Sequence, residues 1–288
     1  KVNSRGDKYE ICETVNYRAG KDVLIPEINK FGAVIIGDMP SHERNLILKY
    51  CFSHSIRTYS VPKISDILLR SSVELNMFDS PLLLSRNTGL QIEQEFAKRV
   101  VDIVSSIAGL IISSPLFLFI AISIKLTDGG PVFYKQTRLT KGGKQFEIYK
   151  FRTMIQNAEQ QSGARLAAEN DDRILPVGRF LRRLRLDELP QLFNILKGEM
   201  SLVGPRPERP ELAAEIEKDI PEFPYRLKVK AGLTGYAQVY GKYNTTFYDK
   251  LKLDLTYIRN YSLLLDLKLI IMTPKIMFMK ESTEGVKE

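Results

Sequence analysis

Two adjacent acids, Asp187 and Glu188, stand among four arginines, Arg182, Arg183, Arg185 and Arg206, in the stretch from Leu181 to Pro207. Leu189, Leu192, Phe193 and Leu196 follow at i, i+3, i+4 and i+7, the spacing of one apolar helical stripe. The pattern predicts a helix that begins at the acids. Pro190 falls in its first turn, where a missing N–H is tolerated, and Lys197-Gly198 ends it. Carboxylates in that position meet the positive end of the helix dipole, which favours their ionised form. Successive helical residues point about 100° apart, so the two acids do not act as a side-by-side pair. A helix cap followed by a first-turn glutamate is the plain explanation of such a pair. The converging arginines and the stiff turn Gly204-Pro205-Arg206-Pro207 offer another, a site for an anion such as phosphate.

What the chain lacks narrows the chemistry. The only histidines, His42 and His54, and the only cysteines, Cys12 and Cys51, all precede residue 60. Beyond that point a Ser-His or Cys-His nucleophile and a thiolate or imidazole zinc site are excluded, so catalysis must use Asp, Glu, Lys, Arg, Tyr or a hard metal held by oxygen. Two cysteines form no disulfide framework and fit a reducing setting. The net charge of +8 calls for an anionic partner, whether nucleic acid, a membrane face or a phosphorylated substrate. With 288 residues, 44% of them hydrophobic, the chain has room for two modest domains. It starts at Lys1, as a fragment or processed product would, with no signal peptide before the first domain.

The elements that must carry the acids come in order. Over residues 1–70 the sequence predicts a partial α/β module. It has a strand at Tyr9–Tyr17, a helix at Val23–Lys30, a buried strand at Ala33–Ile36, a helix capped by Ser41 and running to about Ser55, and a strand at Ile56–Val61. Gly37-Asp38-Met39-Pro40 is not a dinucleotide fingerprint, and His42 and His54 read as packing residues. Residues 71–97 form a linker. Residues 98–126 form an apolar membrane helix, long enough to cross a ~30 Å hydrocarbon core at ~1.5 Å per residue. Ser114-Pro115 interrupts it near the middle, and both flanks are basic: Lys98 and Arg99 before; Lys125, Lys135, Arg138, Lys141 and Lys144 after. Symmetric positive flanks favour both ends on one side, so the segment reads as a re-entrant hairpin bent at Ser114-Pro115, with a kinked spanning helix as the alternative and a buried core helix third. A catalytic domain fills residues 127–280. It opens with strands at Val132–Lys135 and Gln145–Tyr149 around a Lys141–Lys144 turn, and Lys150 and Arg152 present two cations after the second strand. Residues 156–170 form an exposed helix or loop, and Asn170-Asp171-Asp172 is a turn or cap. Phe180, Leu181 and Leu184 make a short apolar face. A charged helix covers Arg209–Asp219, Gly232-Leu233-Thr234-Gly235 is a glycine turn, and Ser262–Met279 is an interfacial helix. The fold class is thus α+β, mainly helical with a small β-hairpin and a re-entrant membrane helix, preceded by a partial α/β, Rossmann-like module.

Taken together, Lys98-Arg99 with Asp102, Ser114-Pro115, Gly130-Pro131-Val132, Gln136 with Arg138, Lys150-Phe151-Arg152-Thr153-Met154, Asp187-Glu188-Leu189-Pro190-Gln191, Asn194, Met200 to Pro207 and Gly232-Leu233-Thr234-Gly235 occur in an order that resembles the bacterial sugar transferases, the monotopic polyprenyl-phosphate phosphoglycosyl transferases. The resemblance implies transfer of a sugar 1-phosphate from a nucleotide sugar, usually a UDP-sugar, to undecaprenyl phosphate, the step that primes exopolysaccharide or capsule assembly. It implies Asp187 as the nucleophile forming a covalent phosphosugar intermediate, Glu188 as the residue that places Mg²⁺, a re-entrant helix broken at Ser114-Pro115, and a location at the cytoplasmic face of the bacterial cell membrane. It also implies a longer protein, with a transmembrane bundle upstream. Lys150 and Arg206, then Arg185, are the phosphate contacts the chemistry favours. The implied partners are a nucleotide sugar, polyprenyl phosphate and the membrane; nucleic acid is not among them, and a homo-oligomer is compatible with them. Ala231 stands where the family often has proline and Tyr236 where it often has tryptophan. A catalytically silent membrane scaffold would share the charge and the apolar segment, but it leaves the paired acids unexplained.

Overall fold

The structure, a computed structural model, describes residues 10–77, 79–85, 89–156, 171–242 and 244–277. The chain divides into two compact units, one up to Lys63 and one from Ile64. Among the described residues the fold is mostly helical, with four two-stranded sheets and one long apolar helix.

In the first unit, helix α1 (Lys21–Ile28) precedes β1 (Ala33–Ile36), α2 (Ser41–Ser53) and β2 (Arg57–Ser60). The strands pair in parallel, Ala33 opposite Arg57, so β1-α2-β2 is the expected crossover unit. Leu24, Ile28 and Cys51 form its small core. Two expectations fail. Residues 10–16 form no strand; Asn16 instead accepts the Arg18 N–H and caps a 3₁₀ turn at Tyr17–Ala19. Ser41 is the first residue of α2, behind a Pro40 cap, and makes no capping bond. His54 stacks on Tyr50 with ring centroids 4.0 Å apart, a packing role.

The second unit starts with α3 (Ile64–Leu69) and an antiparallel hairpin, β3 (Val73–Met77) and β4 (Ser80–Leu84), which lies in the stretch expected to be a linker. Helix α4 (Ile92–Asp128) follows, 37 residues or about 55 Å long. Strands β5 (Phe133–Leu139) and β6 (Gln145–Phe151) form the predicted hairpin. Then come α5 (Pro176–Arg183), α6 (Gln191–Lys197), β7 (Ser201–Val203), α7 (Pro210–Asp219), β8 (Gly232–Thr234), α8 (Tyr236–Tyr240), α9 (Phe247–Arg259) and α10 (Leu263–Met277). The main core gathers Val203, Phe223, Leu251, Leu255, Tyr257 and Leu269, so α9, which reads as a mixed-charge stretch in the sequence, is a central element. The expected apolar face of α5 keeps Leu181, 1% exposed, but Phe180 lies open. Of the expected 156–170 element, residues 157–170 lie outside the described residues. The acidic cluster just after it is a turn, with Asp171 accepting the Arg173 N–H and pairing with its guanidinium.

Where the sequence predicts a hairpin bent at Ser114-Pro115, α4 is one helix that runs unbroken through Pro115. Proline removes the N–H that would bond the Ile111 carbonyl, and the Ser114 hydroxyl donates to that carbonyl at 2.8 Å in its place. Both halves of α4 pack on the same body. Before Pro115, Lys98, Asp102 and Ser106 are buried and Gly109 meets Leu192; after it, Ile120 and Ile124 are buried beside Phe151 and Leu181. Val100, Val104, Ile107, Ile111, Leu118, Ile122 and Leu126 remain exposed as one stripe along the helix. Among the described residues, α4 alone is long and apolar enough to cross a membrane.

Candidate functional site

Asp187 and Glu188 do not begin a helix. They end a separate 3₁₀ turn, Leu186–Glu188, and α6 starts only at Gln191 behind a Pro190 cap. The cause is Arg185, a non-glycine residue at φ 55° that reverses the chain after α5. The buried side of α6 also differs from the predicted stripe. Gln191, Leu192, Asn194 and Ile195 are buried, whereas Phe193 is exposed with its ring edge-on to Phe117 of α4. Lys197 and Gly198 do end the helix, with Gly198 at φ 89°.

Three cations meet on one oxygen. Glu188 Oε1 accepts from Arg206 Nη2 at 2.8 Å and from Lys150 Nζ at 3.1 Å, and Arg185 Nη1 lies 3.6 Å away. The sequence-predicted phosphate contacts are therefore brought together, with Glu188 between them. Burial pushes the Glu188 carboxyl up, but the charges of Arg206, Lys150 and Arg185 outweigh it and hold the group well below the usual carboxylate range. Asp187 goes the other way. Burial, then the charge of Glu188, raises its carboxyl above the ordinary value, against Lys150, Arg185 and Arg182. Its Oδ1 is buried with no hydrogen-bond partner among the described residues. The helix-dipole expectation for Asp187 is thereby reversed, because the acid sits in a buried turn ahead of a seven-residue helix.

The remaining arginines part ways. Arg182 Nε donates to Thr153 Oγ1 at 2.9 Å; Arg183 is exposed and touches neither acid. Arg152 forks onto Asp128 at the end of α4, so Lys150 and Arg152 serve different partners. Lys98, Arg99 and Asp102 turn inward. Lys98 donates to Asp266 and Tyr257, Arg99 donates to the Ile195 and Leu196 carbonyls that end α6, and Asp102 accepts from Ser201 and the Leu202 N–H. The basic flank at the start of α4 is thus used inside the protein, tying α4 to the helix that follows the acids.

Glycine serves close backbone approach here. A Cβ on Gly232 would lie 2.0 Å from Gly204 N, and one on Gly235 2.0 Å from Gly204 O. Gly204 N donates to Thr234 O and Gly232 N to Pro205 O, both at 2.9 Å, so the Gly232–Gly235 segment is the anvil on which the Arg206 turn is set. Ala231 donates its N–H to Thr140 Oγ1, a bond that proline there would lack. Tyr236 packs against Tyr240 with centroids 4.5 Å apart.

For a metal, no group of three or more Asp, Glu, His or Cys occurs among the described residues. The two site acids nonetheless offer hard oxygen. Asp187 Oδ1 is unpartnered, and every Glu188 contact falls on Oε1, leaving Oε2 without a partner among the described residues. That set fits Mg²⁺, which takes one or two carboxylates and completes its shell with water and substrate phosphate.

The fold and site define an α+β protein built along one apolar helix, with an acid pair framed by cations suited to phosphate. The chain belongs to the bacterial sugar transferase family, matching it over residues 93–280. It is 45% identical over 181 residues to a UDP-N-acetylgalactosamine-undecaprenyl-phosphate N-acetylgalactosaminephosphotransferase of Aeromonas hydrophila, covering 62% of this chain and 43% of that one. It is 37% identical over 246 residues to a UDP-glucose:undecaprenyl-phosphate glucose-1-phosphate transferase of Xanthomonas campestris pv. campestris (82% and 51% covered). It is 35% identical over 254 residues to an undecaprenyl-phosphate galactose phosphotransferase of Salmonella typhimurium (83% and 52% covered). The chain spans about half the length of these relatives.

Proposed function

We propose that the protein transfers a sugar 1-phosphate from a nucleotide sugar, a UDP-sugar by analogy with its named relatives, to undecaprenyl phosphate at the cytoplasmic face of the membrane, priming exopolysaccharide or capsule assembly. The observation that carries this is the division of the acid pair: Glu188 is held ionised by three cations, while Asp187 Oδ1 is buried and free. In the first displacement an Asp187 oxygen attacks the β-phosphorus, the bond from that phosphorus to the bridging oxygen breaks, and nucleoside monophosphate leaves with that oxygen. In the second, a phosphate oxygen of the polyprenyl acceptor attacks the same phosphorus and returns the Asp187 carboxylate. Lys150, Arg206 and Arg185 bind and orient the diphosphate. Glu188, with Asp187 beside it, would hold Mg²⁺, whose charge offsets that of the diphosphate.

A course of α4 with both ends on one side of the membrane is supported by packing on both sides of Pro115 against one body, the helix itself being continuous there. Partial Rossmann character of the first unit rests on its parallel β1-α2-β2 crossover. The sugar differs among the relatives, so their names do not choose it. The test is monophosphate release from a UDP-sugar in the presence of polyprenyl phosphate: Asp187→Asn should abolish it, and full turnover in that variant would refute the nucleophile.

A further inference from the structure

Gln191 is the most buried polar side chain lining the small cavity beside the acids that makes no bond of its own. It is 3% exposed and opens α6 directly after Pro190. With Arg138, Ile148, Lys150, Arg206 and Pro207 it lines a cavity of about 20 Å³, room for one water or one ligand oxygen. Among the described residues its carboxamide has no hydrogen-bond partner. Asn194, three residues on and equally buried, bonds through both of its amide atoms, so an idle amide is not what α6 requires for packing.

The amide is not sealed from solvent but opens into the cavity, so it stands there as a donor that no protein group uses and that an entering ligand oxygen can take up. The cavity states the ligand's charge. Three of its lining side chains, Arg138, Lys150 and Arg206, are cationic, and the latter two already lean on Glu188. An anionic oxygen entering there meets positive charge on one side and needs a donor on the other. A fourth cation at position 191 would compete for Glu188, whereas a neutral amide donates without disturbing that balance. We propose that Gln191 is a substrate-binding residue whose Nε2–H donates to a phosphoryl oxygen in this cavity. The inference deepens the transfer reading and rests on it only for the source of the phosphate, the nucleotide donor or the polyprenyl acceptor.

The test uses the full chain in detergent, with UDP and a short-chain polyprenyl phosphate as probes and Gln191→Met as the variant. Replacing an amide that bonds nothing in the protein should leave the melting temperature unchanged. Affinity for one of the probes should fall about tenfold or more, and the probe affected identifies the source. Unchanged affinity for both probes, or a lower melting temperature that marks the side chain as packing, would overturn the proposal. Should Gln191→Met fail to fold, Gln191→Leu, which also lacks the donor and adds no charge, carries the same binding comparison. Binding is read without turnover. Absence of monophosphate release from the wild type would therefore sink the transfer reading alone.

Discussion

The Asn194 side-chain amide pairs with the backbone at Tyr149 as a neighbouring strand would. Its Oδ1 accepts the Tyr149 N–H at 2.9 Å while its Nδ2 donates to the Glu147 carbonyl at 2.7 Å and to Glu199 Oε2 at 2.7 Å. Strand β6 has β5 on one edge only, and this one amide supplies two hydrogen bonds on the other edge. Lys150 comes next on β6, and Glu188 lies six residues before Asn194. The strap ties the helix that follows Glu188 to the strand that carries Lys150, whose Nζ donates to Glu188 at 3.1 Å. Asn194→Ala is expected to cost about 2–4 kcal/mol, two backbone groups losing their partner. It should also lower kcat more than KM. Hydrogen exchange should speed up selectively at the Tyr149 amide; unchanged protection there would show that the bond carries no load.

Which parts of this were legible in the sequence follows from what the residues advertise. The acids, their cations and the β5–β6 hairpin announce themselves by charge and alternation. The left-handed turn at Arg185 does not, because an arginine gives no sign of positive φ, so the acids read as a helix start where the chain makes a 3₁₀ turn. Gln191 and Asn194 escape periodicity rules because these count only apolar residues as core. The Gly232-Leu233-Thr234-Gly235 motif was visible as a turn, but its contact with Gly204, about thirty residues earlier, is a tertiary fact.

That contact makes a contrast of glycines. Gly235→Ala places a methyl 2.0 Å from the Gly204 carbonyl oxygen, a backbone atom with no freedom to yield. A loss on the order of 3 kcal/mol or more is expected, with activity falling as the Arg206 turn is displaced. Gly142→Ala, at φ 70° in open space on the β5–β6 turn, should cost only about 1 kcal/mol and leave activity intact. Thermal melts of the two variants decide it; equal losses would mean that conformational freedom, not close approach, explains both glycines.

Arg185 should show stability and activity moving apart. Its positive φ strains the backbone, while its ion pair with Glu188 spans 3.6 Å from a side chain 41% exposed and is worth little to stability. Arg185→Gly is expected to gain up to about 1 kcal/mol by relieving the backbone, less the entropy that glycine adds to the unfolded chain. It should nevertheless lower transfer by removing one of three cations at the phosphate site. A variant both less stable and fully active would assign Arg185 to structure alone.

The Ser114-Pro115 pair can be separated by a double-mutant cycle. With Pro115 in place, Ser114→Ala leaves the Ile111 carbonyl without a donor and should destabilise the helix by about 1–2 kcal/mol. In a Pro115→Ala background the new backbone N–H reaches that carbonyl, so the same serine change should cost almost nothing, and the two changes couple strongly. The cycle also bears on membrane course. If the proline and its serine hold α4 in a shape that lets both halves lie on one body, single cysteines at Gln94 and Thr127 should label from the cytoplasmic side in the wild type. Pro115→Ala, able to form a straight helix about 55 Å long, should shift part of the Thr127→Cys population to the opposite side. Labelling of Gln94→Cys and Thr127→Cys from opposite sides in the otherwise wild-type chain would make α4 a spanning helix. Packing of both its halves against one body would then have to be abandoned as the reason for its course.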